Sequence, residues 1–206
     1  SSPSRSVAEL AVGLILDCSR HITNQSNELK ANKWSKQTGS LFSYKKVGII
    51  GLGSIGKEFV ALTKGFNLEY FAYDKKKDNS FAKKNNIKFV SLKKIFQTCD
   101  IITIHLSYSK DNEKIINKDL FSIIKNNAIL INTSRGEIID EKSLLKAIKN
   151  NNLASIGLDV FNDEPYNGEL IKYKNSILTP HIGSYSKEVR VAMEYEAALN
   201  IVRSLN

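Results

Sequence analysis

The chain has 206 residues, of which 42% are hydrophobic and 25% charged, an ordinary composition for a folded globular protein. It has no apolar run long enough to span a membrane, and its first residues lack the order of a signal peptide. The net charge of +9 raises the question of nucleic-acid binding. The lysine clusters are scattered without interleaved aromatic residues, so we expect neither a nucleic acid nor a membrane as partner.

Two cysteines, Cys18 and Cys99, lie far apart in the sequence and have no metal-type spacing. Such cysteines are typical of buried thiols in a reducing compartment. We therefore expect a cytoplasmic protein with two reduced thiols and without a metal site.

Short β-branched stretches alternate with helical patterns, which indicates a parallel sheet with crossover helices. Near-continuous apolarity, as in residues 101–104, is typical of strands buried on both faces. Apolar residues recur at helical spacing in 55–62, 92–96 and 144–148. The sequence thus predicts a doubly wound α/β sheet with strands at 46–50, 69–73, 88–90, 101–105, 128–132, 154–159 and 176–178.

Two longer amphipathic stretches, residues 7–20 and 187–205, lie outside this alternation, one near each end. Each is expected to form a helix. Such a helix either packs on the sheet or leads to another part of the protein.

A glycine-rich turn follows the first predicted strand, with Gly51, Gly53 and Gly56 in the pattern G-x-G-x-x-G. The first glycine permits a tight turn, the second lets backbone approach a pyrophosphate, and the third lets a helix pack close to the sheet. Glycines also shape ordinary turns, so the pattern alone is weak. Its context strengthens it, because a strand precedes the turn and a helical stretch follows it.

Asp74 ends the second predicted strand, about twenty residues after the turn, where a dinucleotide site has the acid that binds the adenine ribose. An isolated aspartate at this point also starts a loop as an Asx turn. Turn and aspartate in register indicate dinucleotide binding. The charge of Asp74 favours NAD over NADP, although the lysines at 75–77 partly offset it.

Charged side chains follow the later strands, at the edge where an open α/β sheet has its chemistry. Arg135 is suited to binding a carboxylate, and His181 to transferring a proton. Glu164 is suited to stabilising the protonated histidine, and Asp159 to contacting a nicotinamide carboxamide. Each has a plain alternative: a solvated loop arginine, a histidine bonded to a carbonyl, a surface acid and a turn cap.

These groups form a coherent set for reducing the carbonyl group of an oxo acid with a nicotinamide cofactor. The sequence alone leaves open whether they converge. The other two histidines are weaker candidates: His21 is expected to be structural and His105 to form a pocket wall.

The motifs resemble those of the D-isomer-specific 2-hydroxyacid dehydrogenases, the family that includes phosphoglycerate dehydrogenase. The resemblance runs through 6–10, 47–56, 131–139, 157–165 and 180–183, and a tryptophan like Trp34 is common before the first strand. It implies a Rossmann-type NAD-binding domain in which Arg135, Glu164 and His181 are catalytic. The implied cofactor-binding residues are Gly51, Gly53, Ser54, Ile55, Gly56, Asp74, Leu106, Thr133, Ser134, Arg135, Asp159, His181 and Gly183.

Two short segments depart from the family pattern. Ser107 stands where a proline is usual, which alters the loop after the fourth strand. Residues 184–186, Ser-Tyr-Ser, are larger than those frequent after the histidine and are expected to narrow the pocket.

The resemblance implies reversible oxidation of a D-2-hydroxy acid to its 2-oxo acid with NAD. The alternative is an NAD(H)-responsive binding protein, like the corepressors of this fold, without turnover. A homodimer is expected, because in the family this domain carries the dimer contact.

Family members also have an N-terminal substrate domain of roughly a hundred residues, the size of a small autonomous domain. This sequence shows no counterpart of it. We therefore expect residues 1–206 to be the cofactor domain, with 1–20 and 187–206 as interdomain-type helices.

Overall fold

The protein, described for residues 3–204 by a computed structural model, has a seven-stranded parallel sheet. The strands are β1 Lys46–Ile50, β2 Glu69–Tyr73, β3 Lys88–Phe89, β4 Ile101–Ile104, β5 Ala128–Asn132, β6 Leu153–Leu158 and β7 Ser176–Leu178. Their order is β3-β2-β1-β4-β5-β6-β7, so the chain builds one half of the sheet and then crosses β1 to build the other. The predicted doubly wound sheet is confirmed.

Four strands have the predicted bounds, and the bounds of the other three differ by one residue. β3 ends at Phe89, β4 ends at Ile104, and β6 runs from Leu153 to Leu158. His105 and Asp159 nevertheless extend the ladder, because their N–H groups donate to the carbonyls of Ile50 at 2.8 Å and Asn132 at 2.9 Å. Both residues therefore lie where the chain leaves the carboxyl edge of the sheet.

Helices cover both faces of this sheet. α1, α3 and α4 pack with one face, and α5, α6 and α7 enclose a second core on the other. Two separate cores are what a sheet buried on both faces requires. The helices are α1 Pro3–Arg20, α2 Ile22–Lys30, α3 Ser54–Thr63, α4 Asn79–Lys84, α5 Leu92–Thr98, α6 Lys118–Ser122, α7 Glu141–Lys149 and α8 Lys187–Ser204.

The two terminal helices differ in packing. α1 begins at Pro3, four residues before the expected start, and buries a stripe that includes Ala8, Ala11 and Ile15. α8 exposes most of its described side chains, although Val189 is buried. Residue 205, the predicted end of this helix, lies outside the described residues. The first helix is thus part of the domain's core, whereas the last is largely free of it.

α2 and the segment that follows it, residues 31–41, were not predicted. They are mainly polar and have neither helical nor strand periodicity. Several apolar side chains are exposed here, among them Trp34 at 82% and Leu41 at 65%.

Cys18 and Cys99 are buried and unpaired, as expected. Of the helices in residues 3–204, none has the length and apolarity needed to cross a membrane. The same range contains no group of His, Cys, Asp and Glu side chains arranged to hold a metal ion.

Candidate active site

The glycine-rich turn joins β1 to α3 in the way that the sequence indicates. Gly51 has a φ of 98°, and a Cβ atom there would lie 2.7 Å from the carbonyl of His105, so the turn requires glycine. α3 starts at Ser54, and the first intrahelical N–H bond runs from Lys57 to the Gly53 carbonyl at 2.9 Å. The preceding N–H groups of the helix are therefore free to bind an anion.

Asp74 touches this turn directly. Its Oδ2 accepts a hydrogen bond from the N–H of Leu52 at 2.8 Å, and its Oδ1 accepts one from the N–H of Lys76 at 2.8 Å. The second bond is the Asx turn considered as the plain alternative. The same carboxylate thus starts the loop and adjoins the phosphate-binding turn, and it keeps lone pairs for further donors.

A cavity of about 590 Å³ lies at the carboxyl edge of the sheet. It is lined by eight of the residues implied to bind the cofactor, namely Ile55, Leu106, Thr133, Ser134, Arg135, Asp159, His181 and Gly183. The remaining candidates, Gly51, Gly53, Ser54, Gly56, Asp74 and Glu164, are not in its lining. The turn reaches the cavity through Ile55, and Glu164 reaches it through His181.

The loop after β5 is ordered by Asn132. The Asn132 side-chain carbonyl accepts hydrogen bonds from the Ser134 N–H at 3.0 Å and hydroxyl at 2.7 Å, and its amide donates to the Arg135 carbonyl at 2.9 Å. Arg135 is exposed and donates one hydrogen bond to the Ser134 carbonyl at 2.6 Å. A guanidinium has five N–H donors, so this arginine retains donors for a ligand.

Gly136 brings this loop against the loop after β6. A Cβ atom at this position would lie 2.1 Å from the Phe161 carbonyl carbon, so only glycine permits the approach. Arg135 and the residues that follow β6 are thereby held at neighbouring positions on the cavity edge.

His181 and Glu164 form a pair. The Nδ1 atom of His181 lies 2.8 Å from Oε2 of Glu164, whose Oε1 accepts a hydrogen bond from the Phe161 N–H at 3.1 Å. Partial burial acts to raise the pKa of Glu164, but the hydrogen bonds from His181 and Phe161 outweigh it, so the pKa lies below its usual value. The glutamate stays ionised, and Nε2 is the histidine nitrogen left for a ligand.

His105 forms a wall of the cavity, as expected. It is buried beside Phe59, with Nε2 3.0 Å from the Thr103 hydroxyl, and burial lowers its pKa to about 3. Within residues 3–204, Nδ1 of His105 and Oγ1 of Thr133 are buried without a hydrogen-bond partner. Such atoms are costly to leave unpaired, so the wall fits a polar ligand such as a dinucleotide.

His21 lies apart from this cavity. It precedes α2 with a φ of 57°, and its N–H donates to the Asp17 carbonyl at 2.7 Å. This agrees with the structural role expected from the sequence.

Sequence reasoning missed several residues at the site. Val7 of α1 lines the cavity, and the hydroxyl of Ser6 donates to the Gly183 carbonyl at 2.7 Å. Asn132 and Thr179 were missed because their contacts are long-range and they carry no charge. Ser184, noted as a departure, does line the cavity, and so do Ser107 and Tyr108 after β4.

Comparison with known proteins identifies the class. The model of the D-isomer specific 2-hydroxyacid dehydrogenase NAD-binding domain matches residues 12–183. The chain therefore belongs to this family and carries its NAD-binding domain, which confirms the resemblance and the expected cofactor.

Relatives agree with this assignment. The glyoxylate reductase of Pyrococcus horikoshii is 34% identical over 205 residues, covering 95% of this chain and 61% of that protein. The D-3-phosphoglycerate dehydrogenase of Methanocaldococcus jannaschii is 34% identical over 193 residues, covering 92% of this chain and 37% of that protein. The chain thus spans only part of the length of these relatives.

A solved structure gives the same result. The D-lactate dehydrogenase of Aquifex aeolicus, in complex with NAD and lactic acid, superposes with a TM-score of 0.88 at 25% identity, covering 99% of this chain and 66% of that one. These relatives and this structural neighbour are named as enzymes. They do not favour the alternative of a binding protein without turnover.

Proposed function

We propose that this domain is the cofactor half of an NAD-dependent dehydrogenase that interconverts D-2-hydroxy acids and 2-oxo acids. The observation that carries the proposal is the His181–Glu164 pair, 2.8 Å apart, on a cavity that Arg135 also lines. A proton donor and a cation at one cavity edge are what reduction of a 2-oxo acid requires.

The cofactor would be held mainly by backbone and by Asp74. N–H groups at the start of α3, around Ser54 and Ile55, would bind the pyrophosphate, and Asp74 would accept hydrogen bonds from the adenine ribose. Asp74 is close to the Leu52 N–H, so a 2′-phosphate would meet a fixed negative charge. NAD is therefore the preferred cofactor, with Thr133, Ser134, Asp159 and Gly183 near its nicotinamide.

Proton transfer would be the task of His181. When bound, NADH supplies the hydride that reduces the carbonyl carbon of the acid. Arg135 would hold the substrate carboxylate through charge-assisted hydrogen bonds, which orients the carbonyl toward His181. Nε2 of His181 would donate the proton to the carbonyl oxygen, while Glu164 stabilises the charged imidazolium before that transfer.

A second domain would complete the substrate-binding site. The glyoxylate reductase relative is matched over 61% of its length, which leaves room in that protein for a further domain. We propose that such a domain closes over the cavity in the working enzyme and selects among small 2-oxo acids. Residues 3–20 and 187–204 would lead to it.

A homodimer is the proposed assembly. Most exposed large apolar side chains fall in two stretches, residues 182–195 and residues 22–44. The second stretch holds Ile22, Leu29, Trp34, Leu41 and Tyr44, and exposed apolar surface of this kind is typical of a protein interface. A second copy of the chain is the partner expected from the family.

Light scattering should find a dimer, and the double substitution Trp34→Glu with Leu41→Glu should convert it to a monomer. A monomer before substitution would contradict the assembly.

The cytoplasm is the proposed location. Burial raises the pKa of the Cys18 thiol to about 12 and that of Cys99 to about 11. Both thiols are unpaired, which suits a reducing compartment.

The proposed activity is tested with the intact enzyme and a panel of glyoxylate, hydroxypyruvate, pyruvate and 3-phosphohydroxypyruvate. We expect NADH to be consumed with at least one acid, and the product to be the D-isomer where it is chiral. If NADH binds but no acid oxidises it, the chain is a cofactor-responsive binding protein instead. NADPH, run in parallel, should react more slowly because of Asp74.

A further inference from the structure

The loop that carries His181 has an unusual backbone. His181 has a φ of 54°, in the left-handed region that a residue with a side chain seldom adopts. Its N–H donates to the Thr179 carbonyl at 3.0 Å across Pro180. A conformation of this kind persists only where the surrounding structure imposes it.

Asp159 bonds to the chain on both sides of His181. This side chain follows β6 and is 1% exposed. Its Oδ1 accepts hydrogen bonds from the Thr179 hydroxyl at 2.6 Å and the Ile182 N–H at 2.8 Å. Its Oδ2 accepts one from the Gly183 N–H at 2.8 Å. The donors lie on both sides of His181 in the chain, so one buried carboxylate clamps the loop around the histidine.

The hydrogen bonds also limit what else Asp159 does. A carboxylate has about four acceptor positions, two on each oxygen. Within residues 3–204, three donors use both positions of Oδ1 and one of Oδ2. At most one position, on Oδ2, is left for a nicotinamide carboxamide.

We infer that Asp159 and Thr179 are positioning residues for His181. Their bonds set the left-handed turn that keeps Nδ1 on Glu164 and leaves Nε2 toward the cavity. Thr179 orients Asp159 by occupying the second position of Oδ1, so the hydroxyl acts on the histidine through the carboxylate. This inference rests on the proposed role of His181 in proton transfer.

Two substitutions separate this role from cofactor binding. Asp159→Asn keeps the shape of the side chain but replaces one carboxylate oxygen with an amide N–H donor. That donor would face a backbone N–H, which is also a donor, so the clamp is disrupted. Thr179→Val keeps the shape and removes only the hydroxyl. Thr179→Ser restores the hydroxyl. Thr98→Val is the matched control, because the Thr98 hydroxyl bonds to the Lys94 carbonyl at 2.7 Å and adjoins the Cys99 thiol, and neither residue lines the cavity.

In the intact enzyme, we expect kcat to fall about a hundredfold in Asp159→Asn and about tenfold in Thr179→Val, the cost of misplacing a reacting group. The NADH dissociation constant should stay unchanged in Thr179→Val, because the Thr179 hydroxyl bonds to Asp159 and does not line the cavity. In Asp159→Asn it should rise far less than kcat falls, and Thr179→Ser should recover kcat. If either variant instead weakens NADH binding in proportion to its loss of kcat/KM, with kcat unchanged, Asp159 acts on the cofactor and the inference is wrong.

A second measurement does not depend on turnover. The chain has three histidines, so the ring signals of His181 in NMR are assigned with one His181 variant. At one fixed pH, the chemical shifts of these signals should move in Thr179→Val and return in Thr179→Ser. Unchanged chemical shifts in Thr179→Val overturn the inference. An enzyme that reduces no acid overturns the proposed function, and the NMR chemical shifts still decide the positioning role.

Discussion

Asp74 and Asp159 both follow strands of one parallel sheet, yet their surroundings give them different tasks. Asp74 is partly exposed and accepts two backbone hydrogen bonds, one from the glycine-rich turn. Asp159 is buried and accepts three hydrogen bonds from the loop that contains His181. Asp74 keeps acceptor positions for a ligand, whereas Asp159 uses nearly all of its own inside the protein.

The same difference separates the two halves of the sheet: the first half, which contains β2 and Asp74, and the second half, which contains β6 and Asp159. Around Gly51 and Asp74, backbone N–H groups and one partly exposed acid provide the binding surface. Around Asp159 and His181, buried hydrogen bonds fix the direction of exposed side chains. Binding and chemistry should therefore respond separately to substitution.

Apart from His181→Ala, Arg135→Gln is expected to have the largest effect, and only on the half of the site around Asp159 and His181. Loss of a charge-assisted pair to the substrate carboxylate should lower kcat/KM for the acid about a hundredfold, with a much smaller change in NADH affinity. Steady-state kinetics with varied acid measures it. Arg190→Gln is the control, because this exposed arginine pairs with Glu194 on α8. Equal losses in both variants would show that any loss of positive charge suffices.

His105 lies between the two halves, at the end of β4, and should make stability depend on pH. The unfolded chain takes up its proton near 6.5, but the native state does so only near 3. Stability is therefore complete above pH 6.5 and is lost as the pH falls. Between pH 7 and 5 the loss from this group should be roughly 2 kcal/mol.

Urea unfolding at the two pH values measures this loss. His105→Gln should remove that part of the pH dependence, and His21→Gln should leave it in place. If His105→Gln keeps the full slope, the imidazole is not a buried neutral group.

Asp74→Ala tests the first half and should have the smallest effect. The loss of the ribose hydrogen bonds should raise the NADH dissociation constant about tenfold, while kcat at saturating NADH stays the same. Fluorescence titration with NADH gives the affinity, and Asp163→Ala, an exposed acid of the other half, is the control. A fall in kcat without a change in affinity would reverse the assignment of the halves.

Much of this fold could be predicted from the sequence. Runs such as residues 101–104 are apolar on both faces, and that pattern requires a covered parallel sheet. α2 and residues 31–41 were not predictable, because polar segments without periodicity carry no such requirement. The packing of α1 on the sheet and the exposure of α8 depend on tertiary contacts, and the weaker apolar stripe of α8 is the sign of this difference that the sequence carries.

The residues of the site also fall into those that could be predicted from the sequence and those that could not. Gly51, Asp74, Arg135 and His181 were recognisable, since each has a distinctive chemistry at a strand end. Thr179 was not, because a threonine carries no charge and its partner lies twenty residues away. Nor could the sequence tell a clamp from a ligand-binding acid at Asp159, since burial and the number of donors decide between them.

The central claim is that cofactor binding and proton transfer depend on separate groups of residues, with His181 as the proton donor. The most direct test is His181→Ala in the intact enzyme, with turnover of a 2-oxo acid and NADH binding measured on the same preparation. The account predicts that turnover is abolished while NADH still binds. Turnover that survives unchanged would contradict it.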